Sequence, residues 1–175
     1  STEAILKNAF AAAVAVAELM LFAEQAAQKG ADLVATVGIL NVPNGSINVV
    51  PGLCEFSLDI RAPSDSQRDQ LAKQILAQLE SIIEKRGLSY ELKETMRASA
   101  APSNHQLQQY VANSVARVGL PIFTMPSGAG HDAMKLHDIM PQAMLFVRGE
   151  NSGISHNPLE STSNDDIELA VQSFD

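Results

Sequence analysis

The chain holds a single cysteine, Cys54, so no internal disulfide can form, and a reducing cytoplasm is the compartment expected for it. Basic residues are also scarce: 12 Lys and Arg stand against 20 Asp and Glu, a formal net charge of −8. No basic cluster is longer than Lys85-Arg86, which excludes a nucleic-acid groove or an anionic membrane surface as partner. Long apolar runs are missing too. The run "NAFAAAVAVAELMLFAEQAA" is interrupted by Glu18, lacks a signal-peptidase site, and is too short between charges to cross a bilayer of ~30 Å. It reads as a buried amphipathic helix. HExxH, HxH and CxxC spacings are absent, as are the Gly-x-Ser-x-Gly elbow, a Walker lysine, internal repeats and low-complexity tracts.

What remains is an ordinary soluble composition, 46% apolar and 18% charged over 175 residues, long enough to bury a core. Helix formers run from about Glu3 to Lys29, with Gly30 as the expected left-handed residue after the helix. The runs "DLVATVGIL" and "LCEFSLDIRA" are β-rich, and "NVPNGSINVVPG" between them carries Asn-Gly and two prolines, hence a loop. In the second run Cys54, Phe56, Leu58 and Ile60 face one side, and Glu55, Ser57, Asp59 and Arg61 the other. Ser64 with Gln67 opens a helix that runs to about Arg86 with Leu71, Ile75, Leu79, Ile82 and Ile83 on one stripe, closed by Gly87. "LSYELKETM" is a further strand. The order α-β-β-α-β lacks only one leading strand to be a β-α-β-β-α-β ferredoxin-like sandwich, so the first strand is expected to be missing. Beyond the linker "SAAPS", a helix over about 104–118, strands at "PIFTM" and "QAMLFV", two loops, and a final helix capped by Ser163 with Asp166 suggest the C-terminal part of an α/β layer. The expected fold class is therefore α+β, with a boundary between residues 1–98 and 99–175.

Four histidines are present. His105 near a helix start and His137 in "KLHDIM" suit surface or packing roles, whereas His131 and His156 stand in glycine-bearing loops after expected strands, where open α/β sheets place their sites. Catalytic zinc takes three protein ligands, and two-metal sites need a bridging carboxylate besides. His156, His131, Asp132 and Glu160 do not make up such a set from spacing alone. Arg61, ending a strand on its polar face, can grip a carboxylate with its planar fork, and Asn48 in the preceding loop can donate from its amide; pairing of Arg61 with Asp59 or Glu55 explains it equally well. Ser127 beside His131 and Asp132 lacks the elbow of a serine hydrolase, although the glycines of "SGAG" can cradle an anion.

Three blocks, "GILNVPNGSINVVPGLCEFSLDIRAPSD", "MPSGAGHDAM" and "MLFVRGENSGISHNPLE", together resemble the M20-type metal-dependent amidohydrolases, in the branch of N-carbamoyl-L-amino-acid hydrolases, β-ureidopropionases and allantoate amidohydrolases. The resemblance implies that residues 1–98 are a lid and dimerisation domain, incomplete at its N-terminus, and that residues 99–175 are the C-terminal portion of a metal-binding catalytic domain. It implies a homodimer and hydrolysis of the ureido C–N bond of a small anionic substrate at two divalent ions, zinc, manganese, cobalt or nickel. His156 in "ISHNP" matches a metal ligand, while Asn48 and Arg61 match the residues around the substrate carboxylate. His131 and Asp132 match a loop near the site, with His131 a substrate contact, and Glu160 has a supporting place. The family's general base, bridging aspartate and remaining ligands match nothing here and are expected upstream of Ser1, as is a His-Ala-Gly segment. No catalytic residue is therefore assigned, and the chain alone is expected to be inactive and to bind no metal pair. An M20-type aminoacylase or peptidase, and a non-catalytic dimerisation or ligand-binding module, are the alternatives.

Overall fold

Alternation places the strand Leu53–Arg61 (β4) at the centre of the first half: Cys54, Phe56 and Leu58 are buried, and the residues between them are not. A computed structural model describes residues 1–7 and 11–174. The chain divides into two compact units, Ser1–Ala100 and Ala101–Asp175.

The first unit corrects the expected opening of the chain. Thr2–Lys7 is a strand (β1), not the start of a helix, and it lies between β4 and the strand Ser89–Glu94 (β5), antiparallel to both. The strand expected to be missing is thus present. Glu, Ala, Leu and Lys favour helix in isolation, but two flanking ladders and burial of Ala4 and Leu6 outweigh that weak preference. The expected helix is accordingly shorter, Ala12–Ala27 (α1), and Asn8, Ala9 and Phe10 lie outside the described residues. It starts from Ala11, left-handed at φ 72°, and the Ala12 N–H donates to Pro51 O at 3.1 Å in place of a side-chain cap. Gly30 is not the left-handed stop either: the helix ends at Gln28 with right-handed backbone, its amide still donating to Glu24 O.

Val34–Thr36 (β2) and Leu40–Asn41 (β3) both pair antiparallel with β4, giving the order β2-β4-β1-β5. Asp65–Arg86 (α2) follows with the expected capping: Ser64 Oγ accepts from the Gln67 N–H at 3.3 Å. Gly87, at φ 63°, ends it, and the Leu88 N–H reaches back to Ile83 O at 3.0 Å. Leu19 of α1, Ile75, Leu79 and Ile82 of α2, and Leu6, Cys54 and Phe56 of the sheet form one core. Burial pushes the Cys54 thiol up from its ordinary value, so it packs as a small apolar group. The β-α-β-β-α-β sandwich is complete, with β3 as an extra short strand.

Arg68 and Asp65 on the first turn of α2 fasten the segment that leaves β5. Asp65 Oδ1 accepts the Ala100 N–H at 2.8 Å and Arg68 Nη1 at 2.6 Å, while the same Nη1 donates to Ala98 O at 2.6 Å. Arg97 joins Glu94 and Asp69, and its hydrogen bonds to Glu94 hold that carboxyl below the usual range.

The second unit contains the helices His105–Arg117 (α3), Ala133–Leu136 (α4) and Asn164–Gln172 (α5). Asn104 caps α3 through the Leu107 N–H, and Ser163 caps α5 through Asp166. The two expected strands are not formed: 121–125 and 142–147 are irregular, and no strand occurs among the described residues of this unit. A strand needs a ladder partner for its backbone groups, and none is available here. Phe123 is 82% exposed and Phe146 48%. Among the described residues no helix is long and apolar enough to cross a membrane.

Candidate functional site

The hairpin geometry of the first unit fixes where Asn48 and Arg61 stand. Asn41 pairs with Glu55, so the loop after β3 hangs from the Leu53 end of β4, while Arg61 terminates the other end. The eight steps of ~3.3 Å along its nine residues put about 26 Å between those ends. Within the loop, Ser46 bridges Val49, and Ser46 Oγ donates to Asn48 Oδ1 at 2.9 Å, with no partner for the Asn48 amide donors among the described residues. Arg61 Nε donates to Asp59 Oδ2 at 2.6 Å, the local pairing that its spacing suggested. Side chains two apart on a strand share a face, and the exposed guanidinium of such a pair can re-aim toward a stronger anion.

The second unit carries the histidine loops. Ser127 Oγ donates to Ala129 O at 3.1 Å, a turn-closing bond. His131 O accepts the Met134 N–H and Asp132 O accepts those of Lys135 and Leu136, so both residues open α4 through their carbonyls. The His131 ring meets Phe146 edge-on, centroids 6.1 Å apart at 75°, which orients the imidazole. His105 begins α3, and His137 follows α4 beside a shallow hollow bounded by Pro102, Asn104 and Gln142.

His156 lies in a loop closed at its base by the Glu150 N–H on Ser161 O at 2.9 Å. Asn151, Ser152, Gly153 and His156 all have positive φ, 49°, 62°, 70° and 57°. For a non-glycine residue this conformation costs about 1–3 kcal/mol and persists only where surrounding bonds impose it. Those bonds are present. Asn151 Nδ2 donates to Leu159 O at 2.7 Å and to Ser161 Oγ at 3.3 Å, and the Leu159 N–H donates to Asn157 Oδ1 at 3.0 Å. The His156 N–H donates to Glu160 Oε2 at 2.8 Å. Its Nδ1 is 3.2 Å from Ser155 Oγ, and Nε2 has no partner among the described residues.

An imidazole so held fits one ligand position of a divalent ion, with the second nitrogen oriented by a neighbour. It does not amount to a site by itself: among the described residues no three His, Cys, Asp or Glu side chains gather within reach of one ion. His131 and Asp132 are not assembled with His156 into such a group. The sequence reading missed two features here. Gln142 is buried, its Nε2 shared between Ala101 O and Pro102 O at 3.3 Å each, with Oε1 unpaired among the described residues. The left-handed run 151–153 was also missed, although Asn151 and Gly153 are both residue types that take positive φ readily.

Residues 7–175 match the model for peptidase family M20/M25/M40. An N-carbamoyl-L-amino acid amidohydrolase of Geobacillus stearothermophilus is 32% identical over 158 residues, 90% of this chain and 38% of that protein. An allantoate amidohydrolase of Bacillus subtilis is 31% identical over 143 residues, 82% of this chain and 34% of that protein. The crystal structure of an amidase of the hydantoinase/carbamoylase family from Burkholderia multivorans superposes with a TM-score of 0.93 at 26% identity, over 99% of this chain and 45% of the other. The chain thus spans less than half the length of these proteins.

Proposed function

We propose, for a chain that belongs to peptidase family M20/M25/M40, that the protein carrying it is a metal-dependent amidohydrolase acting on the ureido group of a small anionic substrate. The substrate class is that of N-carbamoyl amino acids or allantoate, by analogy with the two amidohydrolases to which the chain is 31–32% identical. The observation that carries the reading is the braced, strained loop that presents an exposed His156 whose Nε2 has no partner among the described residues.

In this reading His156 contributes one imidazole to a pair of divalent ions, zinc, manganese, cobalt or nickel, whose other ligands belong to the rest of the protein. Such ions supply Lewis-acid polarisation of the scissile carbonyl. The chain's own residues bind and orient. Arg61 exchanges its bond to Asp59 for two parallel bonds to the substrate carboxylate, and the Asn48 amide donates to the same anion. Asn48 and Arg61 act on the anion in a site shared between the subunits of a homodimer. Residues 1–98 are then the lid and dimerisation domain and 99–175 part of the catalytic domain. His131, oriented by Phe146, contacts the substrate, and Asp132 supports that loop. The general base comes from elsewhere in the protein. A buried, reduced Cys54 suits a cytoplasmic enzyme.

The test is product analysis with the full-length protein and added metal. N-carbamoyl amino acids and allantoate are expected to release ammonia, while N-acetyl amino acids and dipeptides are turned over far more slowly. Preferential release of amine from the acyl or peptide substrates would reassign the protein to an aminoacylase or peptidase. No turnover of any of them, with a stable dimer, would favour a binding module.

A further inference from the structure

We propose that Glu160 is a positioning residue for His156: its carboxylate accepts the His156 backbone N–H, holds that residue left-handed, and so aims the imidazole. The inference rests on the reading of His156 as a metal ligand.

Four of the positive-φ residues fall in the six positions 151–156, and the bonds that could impose this geometry come from different sources. Asn151 and Ser161 close the base of the loop, and Asn157 ties its tip. Among the described residues, Glu160 is the one that grips the His156 backbone, while Ser155 Oγ meets the ring at Nδ1. The Glu160 N–H meanwhile donates to Asn157 O at 2.9 Å, so backbone and side chain of one residue close a small ring over His156–Glu160. Pro158 lies inside that ring and narrows its freedom further. A carboxylate is the strongest neutral-pH acceptor for an amide N–H and presents no donor that would compete.

Exposure gives the arrangement a distinctive consequence. His156 and Glu160 are both exposed, so water replaces a lost carboxylate at the amide, and truncation of Glu160 leaves the fold intact while freeing φ of His156. A purely structural glutamate would act on stability; a positioning one acts on the imidazole.

The experiment is Zn(II) binding to the full-length protein, by competition with a chromophoric chelator, for wild type, E160A, E160Q, H156A and the double variant E160A/H156A. Amide exchange at residue 156 is followed in parallel. E160A is expected to weaken Zn(II) binding about tenfold to hundredfold, to speed exchange of the 156 amide, and to leave the melting temperature unchanged. E160Q keeps a carbonyl acceptor and restores most of the affinity. In the H156A background the E160A effect disappears. Loss in H156A with none in E160A would overturn the positioning role and leave the ligand reading standing. Equal loss in E160A and E160Q, or an E160A effect that survives in H156A, would overturn it in favour of Glu160 acting on the metal directly. H156A with unchanged Zn(II) affinity would remove the ligand reading itself.

Discussion

Replacement of Leu6 by Ala tests whether the first residues of the chain are a central strand. Leu6 is fully buried, opposite Cys54 on one side and Tyr90 on the other. The change deletes three carbons, ~2.4 kcal/mol at ~0.8 per methylene, and the cavity between two ladders that cannot close up adds to this. A cost of about 3–4 kcal/mol follows. For a unit of this size each kcal/mol is worth roughly 4–8 °C, so the transition falls by about 10–30 °C. Ile5, one position earlier, is half-buried on the opposite face against Glu55 and Glu91, and Ile5→Ala is expected to cost less than about 1 kcal/mol. The chain has no tryptophan and only two tyrosines, Tyr90 and Tyr110. In a Tyr110→Phe background, urea unfolding followed by the fluorescence of Tyr90 therefore reports the first unit alone. Equal costs for Leu6→Ala and Ile5→Ala, or a Leu6→Ala cost under about 1 kcal/mol, would refute the central strand and the sheet order built on it.

Arg61→Lys in the full-length protein is expected to lower kcat/KM for a ureido acid about 10- to 100-fold by loss of the bidentate grip. A carboxamide analogue of the substrate should show no such difference, and steady-state kinetics on both compounds check it. Ser152→Gly removes one left-handed penalty, so exchange of the 156 amide should slow about fivefold, the equivalent of roughly 1 kcal/mol. Asp65 is held below the ordinary aspartate range, first by the Ala100 amide and then, against opposing desolvation, by Arg68. A depressed carboxylate stabilises above its unfolded pKa of about 3.9 and loses that contribution as pH falls through the lower folded value. Protection of the Ala100 amide, corrected for intrinsic exchange, is thus expected to hold at pH 6 and to fail in acid; Asp65→Asn should abolish the pH dependence, and an unchanged profile would refute it.

What the sequence made legible was whatever depends on near neighbours. The Ser64 and Ser163 caps, the Gly87 stop, the apolar stripe of α2 and the alternation of β4 are all set by residues within a turn or two, and each is found as expected. The failures share a cause of longer range. Thr2–Lys7 is a strand only because residues about 50 and 90 positions away supply ladders, and 121–125 and 142–147 are β-rich but lack such partners. The loop of His156 was recognisable as a motif, but the left-handed backbone at Ser152 and His156 was not: no glycine marks either position, and His156 is braced by the side chain of Glu160. That the loop holding Asn48 is attached at the end of β4 opposite Arg61 likewise appears only once the hairpin direction is known.

The fastening of 97–100 to α2 has a mechanical meaning. A tug on the chain at Ala101 would, without it, pull β5 away from β1 one rung at a time, the direction in which a ladder is weakest. With Asp65 on the Ala100 amide and Arg68 on the Ala98 carbonyl, the load enters the first turn of a 22-residue helix and spreads over the core beneath it. The outermost strand, exposed along its whole length, is thereby spared the force that the rest of the polypeptide exerts on it. Pulling from residue 101 should accordingly unfold the first unit at lower force in Asp65→Asn than in wild type, with β5 the first element to leave.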